Sequence, residues 1–358
     1  MNTITIPKPV NGHGHLRQGE LFAHLVRMAR RLFSHYFGMG NTKPPILLAE
    51  EAAEYKNAAH KIDEEEGFGQ EFEMHPIIKL REDTTPEMVR DAIQQGFRFF
   101  KLYPKSKTTH ADDGIINYFC PNLRGCYEVI ATEKTPERKS AHTLWHCEHP
   151  RHVWDDSECE YAALGPFEQV YDLVPGLKMT WCHLSDTRVV PTLMDMGERV
   201  AFELAVHYAF LRENDTHGKN HHVCRPPAKL ERDRKEIRRL MVSGNPKVIN
   251  GLDDAPWDID KKECESAMCG VWTLPVALPL IVRIFEEEGL LINSTVPDSL
   301  IAFTSANACR FYNLRNPKST ITLTKQDWVV PAVYLLGDTS VVPFMAGQTL
   351  HWWVKECL

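Results

Sequence analysis

Two histidines one residue apart, in Asn11-Gly12-His13-Gly14-His15-Leu16-Arg17, carry the first chemistry in this chain. Side chains on a strand alternate faces, so the His-x-His spacing aims both imidazoles at one point. Gly12 and Gly14 leave room around that point. Two neutral imidazoles at a strand end make half of a metal site. Four further residues close apolar runs and supply the other half. They are Lys101 in Phe99-Phe100-Lys101-Leu102-Tyr103-Pro104, His146 in Leu144-Trp145-His146-Cys147-Glu148, His183 in Trp181-Cys182-His183-Leu184, and Asp253 in Gly251-Leu252-Asp253-Asp254-Ala255-Pro256. Singly, each has an ordinary reading as a core histidine, a snorkelling lysine or a turn aspartate. Together they fall at one end of successive predicted strands. A protonated ammonium cannot ligate a cation, but a neutral lysine amine can take up carbon dioxide. The resulting carbamate is a two-oxygen anion able to bridge two ions. Four histidines, a Lys101 carbamate and Asp253 therefore read as a site for two divalent cations about 3.5–4 Å apart. Zinc suits such imidazole and carboxylate ligands.

These residues need a frame that brings strand ends together. The apolar runs 3–7, 35–41, 72–80, 97–103, 142–148, 178–184, 200–207 and 247–253 read as eight strands, the first leading into His13. Helical stretches lie between most of them. Leu21 to Phe33 has apolar residues at helical spacing, and Leu48 to Ile62 is rich in Ala and Glu. Thr85 caps a helix that starts with Pro86 and stops at Gly96, and Asp233 to Val242 is closed by Gly244. Eight strand–helix alternations predict an α/β fold, a (β/α)8 TIM barrel with its active residues at the C-terminal strand ends. A length of 358 residues with 43% hydrophobic content fits one barrel domain over residues 1–358. A net charge of −7 without a basic run argues against nucleic-acid partners. No apolar run reaches the roughly 18–20 residues of a membrane span, because Pro279 and Arg283 break the nearest candidate, Val276 to Phe285. The N-terminus has no secretory pattern, and the ten cysteines form no CxxC pair. A cytoplasmic protein with reduced thiols is expected. The tract Asp215 to His222, though rich in histidine, reads as a solvated loop over the barrel mouth, and Cys264 and Cys269 as free thiols.

At this point the chain resembles the amidohydrolase superfamily, and within it the dihydroorotases of the short bacterial type. The resemblance runs through His13-Gly14-His15-Leu16-Arg17, Gly40-Asn41-Thr42-Lys43-Pro44-Pro45, Lys101-Leu102-Tyr103-Pro104, Thr108-Thr109, the three later ligand strands and Val342-Pro343-Phe344-Met345-Ala346-Gly347-Gln348-Thr349. It implies one metal held by His13, His15, Lys101 and Asp253, and a second held by Lys101, His146 and His183. It also implies a metal-bridging hydroxide as nucleophile, with Asp253 as its general base and acid. The reaction implied is the reversible interconversion of dihydroorotate and N-carbamoyl-L-aspartate. Arg17 matches the guanidinium that binds the substrate carboxylate, Asn41 the amide beside it, and Thr108 and Thr109 a mobile loop that closes over the substrate. A homodimer is implied as well.

Four positions depart from the family pattern. Trp257 stands where the family has a histidine that helps hold the carboxylate; an indole offers one N–H and no charge. Cys182 stands where a glutamate is usual before the sixth-strand histidine. Arg225, after Cys224, replaces an apolar substrate contact. Cys269 takes the place of the small residue that closes the pocket floor. The ligand set is complete while the substrate shell is altered, which leaves two alternatives to a dihydroorotase. One is an amidohydrolase acting on a different cyclic amide. The other is an inactive metal-binding homologue that serves as a partner in a pyrimidine-synthesis complex.

Overall fold

Most of the strands here are buried along their whole length rather than on alternate residues, as in Phe99-Phe100-Lys101-Leu102 and Val200-Ala201-Phe202-Glu203-Leu204. That pattern belongs to strands covered on both faces, and such strands pair in parallel with helices between them. The computed structural model describes residues 3–66, 71–151, 155–291 and 295–354. Its strands run β1 (Thr3–Pro7), β2 (Val10–Gly14), β3 (His35–Gly38), β4 (Glu73–Pro76), β5 (Ile78–Leu80), β6 (Phe99–Leu102), β7 (His142–Trp145), β8 (Lys178–Trp181), β9 (Val200–Leu204) and β10 (Val248–Asn250). Two parallel sheets result, in the orders β2-β3-β4 and β5-β6-β7-β8-β9-β10. Only Ile77 separates β4 from β5. After β10 the chain returns to β2, where Asp253 N–H donates to His13 O at 2.9 Å and His15 N–H to Asp254 O at 3.0 Å. Asn250 Nδ2 adds a bond to Val10 O at 2.8 Å. Val10, Phe37, Ile77, Phe99, Leu144, Cys182, Ala201 and Ile249, contributed by or next to these parallel strands, pack in one buried cluster with Phe311 and Tyr312.

The expected first strand is a correction. Residues 3–7 do not join the parallel strands. β1 pairs antiparallel with β11 (Thr320–Val329), which in turn pairs with β14 (Thr349–Val354). The reason lies in its alternation: Ile4 and Ile6 are buried while Thr3 and Thr5 are exposed, the mark of a sheet with one wet face. The strand that carries His13 is β2, and His15 lies one residue past its end. Between β11 and β14 a hairpin joins β12 (Tyr334–Leu336) to β13 (Thr339–Val341) through Gly337 and Asp338. Gly337 has φ +64°, the backbone a two-residue hairpin turn demands.

The helices follow the sequence more closely. Thr85 caps Pro86–Gln94 through its hydroxyl, which accepts from Met88 N–H. The helices Glu20–Leu32, Ala49–Glu66 and Glu231–Val242 cover the three other predicted stretches within a few residues. Among the described residues no helix is long and apolar enough to cross a membrane. The nine described cysteines are free thiols.

Candidate metal centre and substrate pocket

His13 Nε2 and His15 Nε2 lie 3.5 and 3.4 Å from the same oxygen, Asp253 Oδ1. Ligand atoms sharing a tetrahedral zinc at 2.0–2.1 Å stand roughly 3.3 Å apart, so the spacing suits a common cation. Asp253 itself sits three residues beyond β10 rather than at the strand's last position. His13 is oriented from behind: its Nδ1 is 2.9 Å from Glu203 Oε2 on β9. A carboxylate there accepts a hydrogen bond from Nδ1–H, which keeps the proton on Nδ1 and turns the Nε2 lone pair outward. Burial pushes the Glu203 carboxyl up to about 7, against the opposing pull of Lys101. His146 is held in the mirror sense, with Nε2 2.7 Å from Glu148 Oε2, which leaves Nδ1 available. The rings of His13 and His183 are 4.8 Å apart, and those of His183 and His146 4.7 Å. Burial drives His13, His15 and His183 well below the usual histidine range, and the neighbouring Lys101 adds to it. All three are therefore neutral, the form that ligates.

Lys101, on β6, is fully buried, and its Nζ has no hydrogen-bond partner among the described residues. A protonated amine in that place would be a desolvated cation without a donor target, at a cost of several kcal/mol per ion. Conversion to an anion bound to cations removes that cost. His183 Nδ1 is likewise buried without a partner. His13, His15 and Asp253 thus have the spacing of ligands to one cation, and the unpartnered Lys101 Nζ and His183 Nδ1 have chemistry that suits metal binding. Burial raises Asp253, with His207 and Lys101 opposing. Arg17, His183 and Asp253 all have positive φ, at 56°, 38° and 47°. Non-glycine residues held there cost of order 1–3 kcal/mol each and cluster at functional sites.

Above the cluster is a cavity of about 460 Å³ whose wall includes His15, Arg17, Asn41, His110 and Trp257. Arg17 Nε donates to Pro256 O at 2.7 Å, while its Nη2 is buried and unpaired among the described residues. Burial lowers the guanidinium to about 10, still charged at neutral pH. Trp257 lies face-on to Arg17, 4.0 Å from the ring centre to Cζ. Its indole N–H is already committed to Cys269 O at 2.9 Å. Trp257 thus presents a face rather than a donor, which corrects the expectation drawn from its single N–H. Asn41 Nδ2 donates to Thr109 O at 3.0 Å, and His110 Nδ1 meets Asn41 O at 2.9 Å. Thr109 Oγ1 is 3.5 Å from Cys269 O. Thr108 is half-buried beside it. The loop therefore meets Asn41 on one side and Cys269 on the other, and its His110 borders the cavity. Arg225 is turned aside to Asp156, at 2.7 Å, and stands 3.6 Å from Glu148.

Sequence reasoning missed several of these partners. Glu203 was visible as a lone charge inside an apolar strand. Glu148 sits two residues after His146, the spacing that returns to the same face. His207, fully buried with neither ring nitrogen bonded to a described residue, left no spacing signal. The tract at 215–222 stays apart from the cluster: His222 Nδ1 bonds Asp215 O at 2.8 Å and His221 Nε2 meets Glu263 at 2.9 Å.

Parallel strands that gather histidines, a buried lysine and an aspartate at their C-terminal ends are the arrangement of the metal-dependent amidohydrolases. No protein-family model matches the chain. It is 32% identical over 357 residues to a dihydroorotase of Halorhodospira halophila, covering 98% of this chain and 99% of that one. A dihydroorotase of Aliivibrio fischeri is 30% identical over 360 residues, covering 99% and 100%. A crystal structure of the Saccharomyces cerevisiae dihydroorotase in complex with 5-fluoroorotic acid superposes with a TM-score of 0.88 at 26% identity, covering 99% of both chains. The chain belongs to the dihydroorotase family.

Proposed function

We propose that this chain catalyses the reversible interconversion of dihydroorotate and N-carbamoyl-L-aspartate, a cyclic-amide hydrolysis in pyrimidine biosynthesis. The observation that carries the reading is the meeting of His13 and His15 at Asp253 Oδ1 beside a cavity whose wall holds Arg17 with a buried, unpaired nitrogen. Family membership over the full length supports it. The reading takes residues 1–358 as one domain and the parallel strands as a closed (β/α)8 barrel. The near-continuity of β4 into β5 and the bonds from β10's end to β2 support that closure. A homodimer in the cytoplasm accompanies it.

His13, His15, Asp253 and Lys101 would hold one zinc, and Lys101, His146 and His183 the other, with Lys101 as the carbamate. Such ions lower the pKa of water and polarise an amide carbonyl. The chain's own residues do the rest. Glu203 and Glu148 fix the ligating nitrogens of His13 and His146. Arg17 pairs with the substrate carboxylate through its free nitrogen, assisted by Asn41. Trp257 holds the guanidinium plane from one side. Asp253 takes the proton of the attacking water and returns it to the ring nitrogen as the amide breaks. In synthesis the same groups run in reverse. The loop of Thr108 and Thr109 closes over the substrate and excludes bulk water.

Trp257 favours a second reading, an amidohydrolase for another cyclic amide. The deciding assay loads the protein with zinc and measures kcat and KM on dihydroorotate and carbamoyl-aspartate, for wild type and Trp257→His. A dihydroorotase turns over both compounds, and the histidine variant acts mainly on KM. Gain of nothing by the variant, together with slow wild-type turnover, favours the other amide. No activity in either protein with both metals bound rejects the dihydroorotase reading and leaves the other cyclic amide or the inactive homologue.

A further inference from the structure

A second convergence of ligand-type side chains lies at the opposite ends of the strands. His35 opens β3 and Glu73 opens β4, and the two are paired in register. His75 follows Glu73 by two residues on β4. In-register neighbours on parallel strands, and residues two apart on one strand, share a face. All three side chains therefore project to the same side, at the N-terminal ends of the strands. His35 and His75 are almost covered, at 3% and 8% exposure. His35 Nδ1 lies 3.0 Å from His75 Nε2 and 3.6 Å from Glu73 Oε2. One bond fixes the tautomer. His35 Nε2 is 3.0 Å from Arg315 O, and a carbonyl only accepts, so Nε2 carries the proton. Nδ1 therefore presents a lone pair to the other two groups.

We propose that His35, His75 and Glu73 form a zinc site distinct from the candidate catalytic centre. Three atoms on a tetrahedral zinc stand roughly 3.3 Å apart; the two separations from His35 are 3.0 and 3.6 Å, and the ligand atoms of all three residues lie within 4.8 Å of one another. A backbone carbonyl behind one imidazole is the partner that ligating histidines commonly keep. Glu73 and His75 both border a cavity of about 290 Å³, which gives a fourth ligand such as water room to enter. Arg315 competes for Glu73 at 3.3 Å, but its side chain is 77% exposed and free to swing out. Burial holds both imidazoles below the usual range and so in the ligating form. Arg98, Lys56 and Lys139 also act on His75. Their positive charge opposes any divalent cation, and the two nitrogen ligands disfavour calcium or magnesium, which need a set of oxygens. The ion would tie β3 to β4 at the end of the sheet where no chemistry is proposed.

The test uses the full chain, loaded with zinc and washed free of excess. Anomalous diffraction at the zinc edge on wild-type crystals should give a peak between His35, His75 and Glu73. His75→Gln should bind one zinc fewer per chain than wild type and keep its turnover. Should His75→Gln fail to fold, Glu73→Gln serves, because that side chain is partly exposed; it should weaken the extra zinc at least about tenfold. Equal zinc content in wild type and variants, with no anomalous peak at the three residues, overturns the proposal and leaves a hydrogen-bonded histidine pair.

Discussion

Cys182 occupies the place where the family resemblance leads one to expect an acid, yet a carboxylate is present beside it. The ligand-type atoms of His13, Cys182 and Glu203 all fall within 4.8 Å of one another, so the acid comes from the next strand over. The sequence shows Glu203 as a lone charge in an apolar strand but not its nearness to His13 and Cys182, because the exchange is between strands and not along one. The ligands themselves were legible for the opposite reason: each ends its own apolar run. Asp253 tests the chemistry most directly. Asp253→Asn should keep the fold and much of the metal, since the amide oxygen still ligates, and lose the proton transfer. A fall of about 10²–10⁴-fold in kcat is expected, and near-normal turnover would remove Asp253 from the mechanism. Trp257 can be tested as a face. With its N–H tied to Cys269, Trp257→Phe should change KM little, whereas Trp257→Ala strips the cation–π support of Arg17. A KM rise of about two- to thirty-fold corresponds to the roughly 0.5–2 kcal/mol of such a contact. Equal effects of the two variants would make the indole N–H the important group.

Elements with local signals were readable, and those set by distant partners were not. Thr85, Pro86 and Gly96 bracket one helix by themselves. β1 looked like a leading barrel strand because Thr3 to Ile6 has strand composition, but its register is set by β11, more than 300 residues away. The loop after β6 is another case of remote control. Lys79, on β5 and fully buried, donates to His110 O at 2.9 Å and to the Asp113 carboxylate. That anchor holds the segment whose Thr109 and His110 meet Asn41. Lys79→Met should free the loop while leaving metal content unchanged. Hydrogen bonds to charged groups are worth roughly 1.5–3 kcal/mol, so kcat/KM should fall about ten- to a hundredfold. Steady-state kinetics with zinc analysis on the same samples checks this. An unchanged kcat/KM would mean that the loop closes without its anchor.

At the scale of the whole molecule, neutral histidines are built into the interior, and they tie stability to pH. His207 lies just past β9, and burial lowers it to about 4 from 6.5. His142 is also buried without a bonded ring nitrogen among the described residues and is lowered well below 6.5. A group whose folded pKa is depressed takes up its proton more readily when unfolded. Its contribution is therefore complete above about 6.5 and is lost as pH falls toward the folded value. Glu160 works in the other direction. Burial raises it from 4.5 to about 7, so its contribution is full below 4.5 and fades as pH rises through 7. Between these limits the two slopes offset each other, and the wild-type profile alone cannot separate them. A variant that removes one titration can. In urea unfolding across pH 4 to 8, the stability difference between wild type and His207→Gln should be constant above pH 6.5. It should then shift by about 1.4 kcal/mol per pH unit below that, to a total near 3 kcal/mol in favour of the variant at the acid end. Taking the difference cancels Glu160 and every other distant group. A difference that stays flat from pH 8 to pH 4 would mean that His207 is solvated or already paired, and would remove it from the neutral interior beside Asp253.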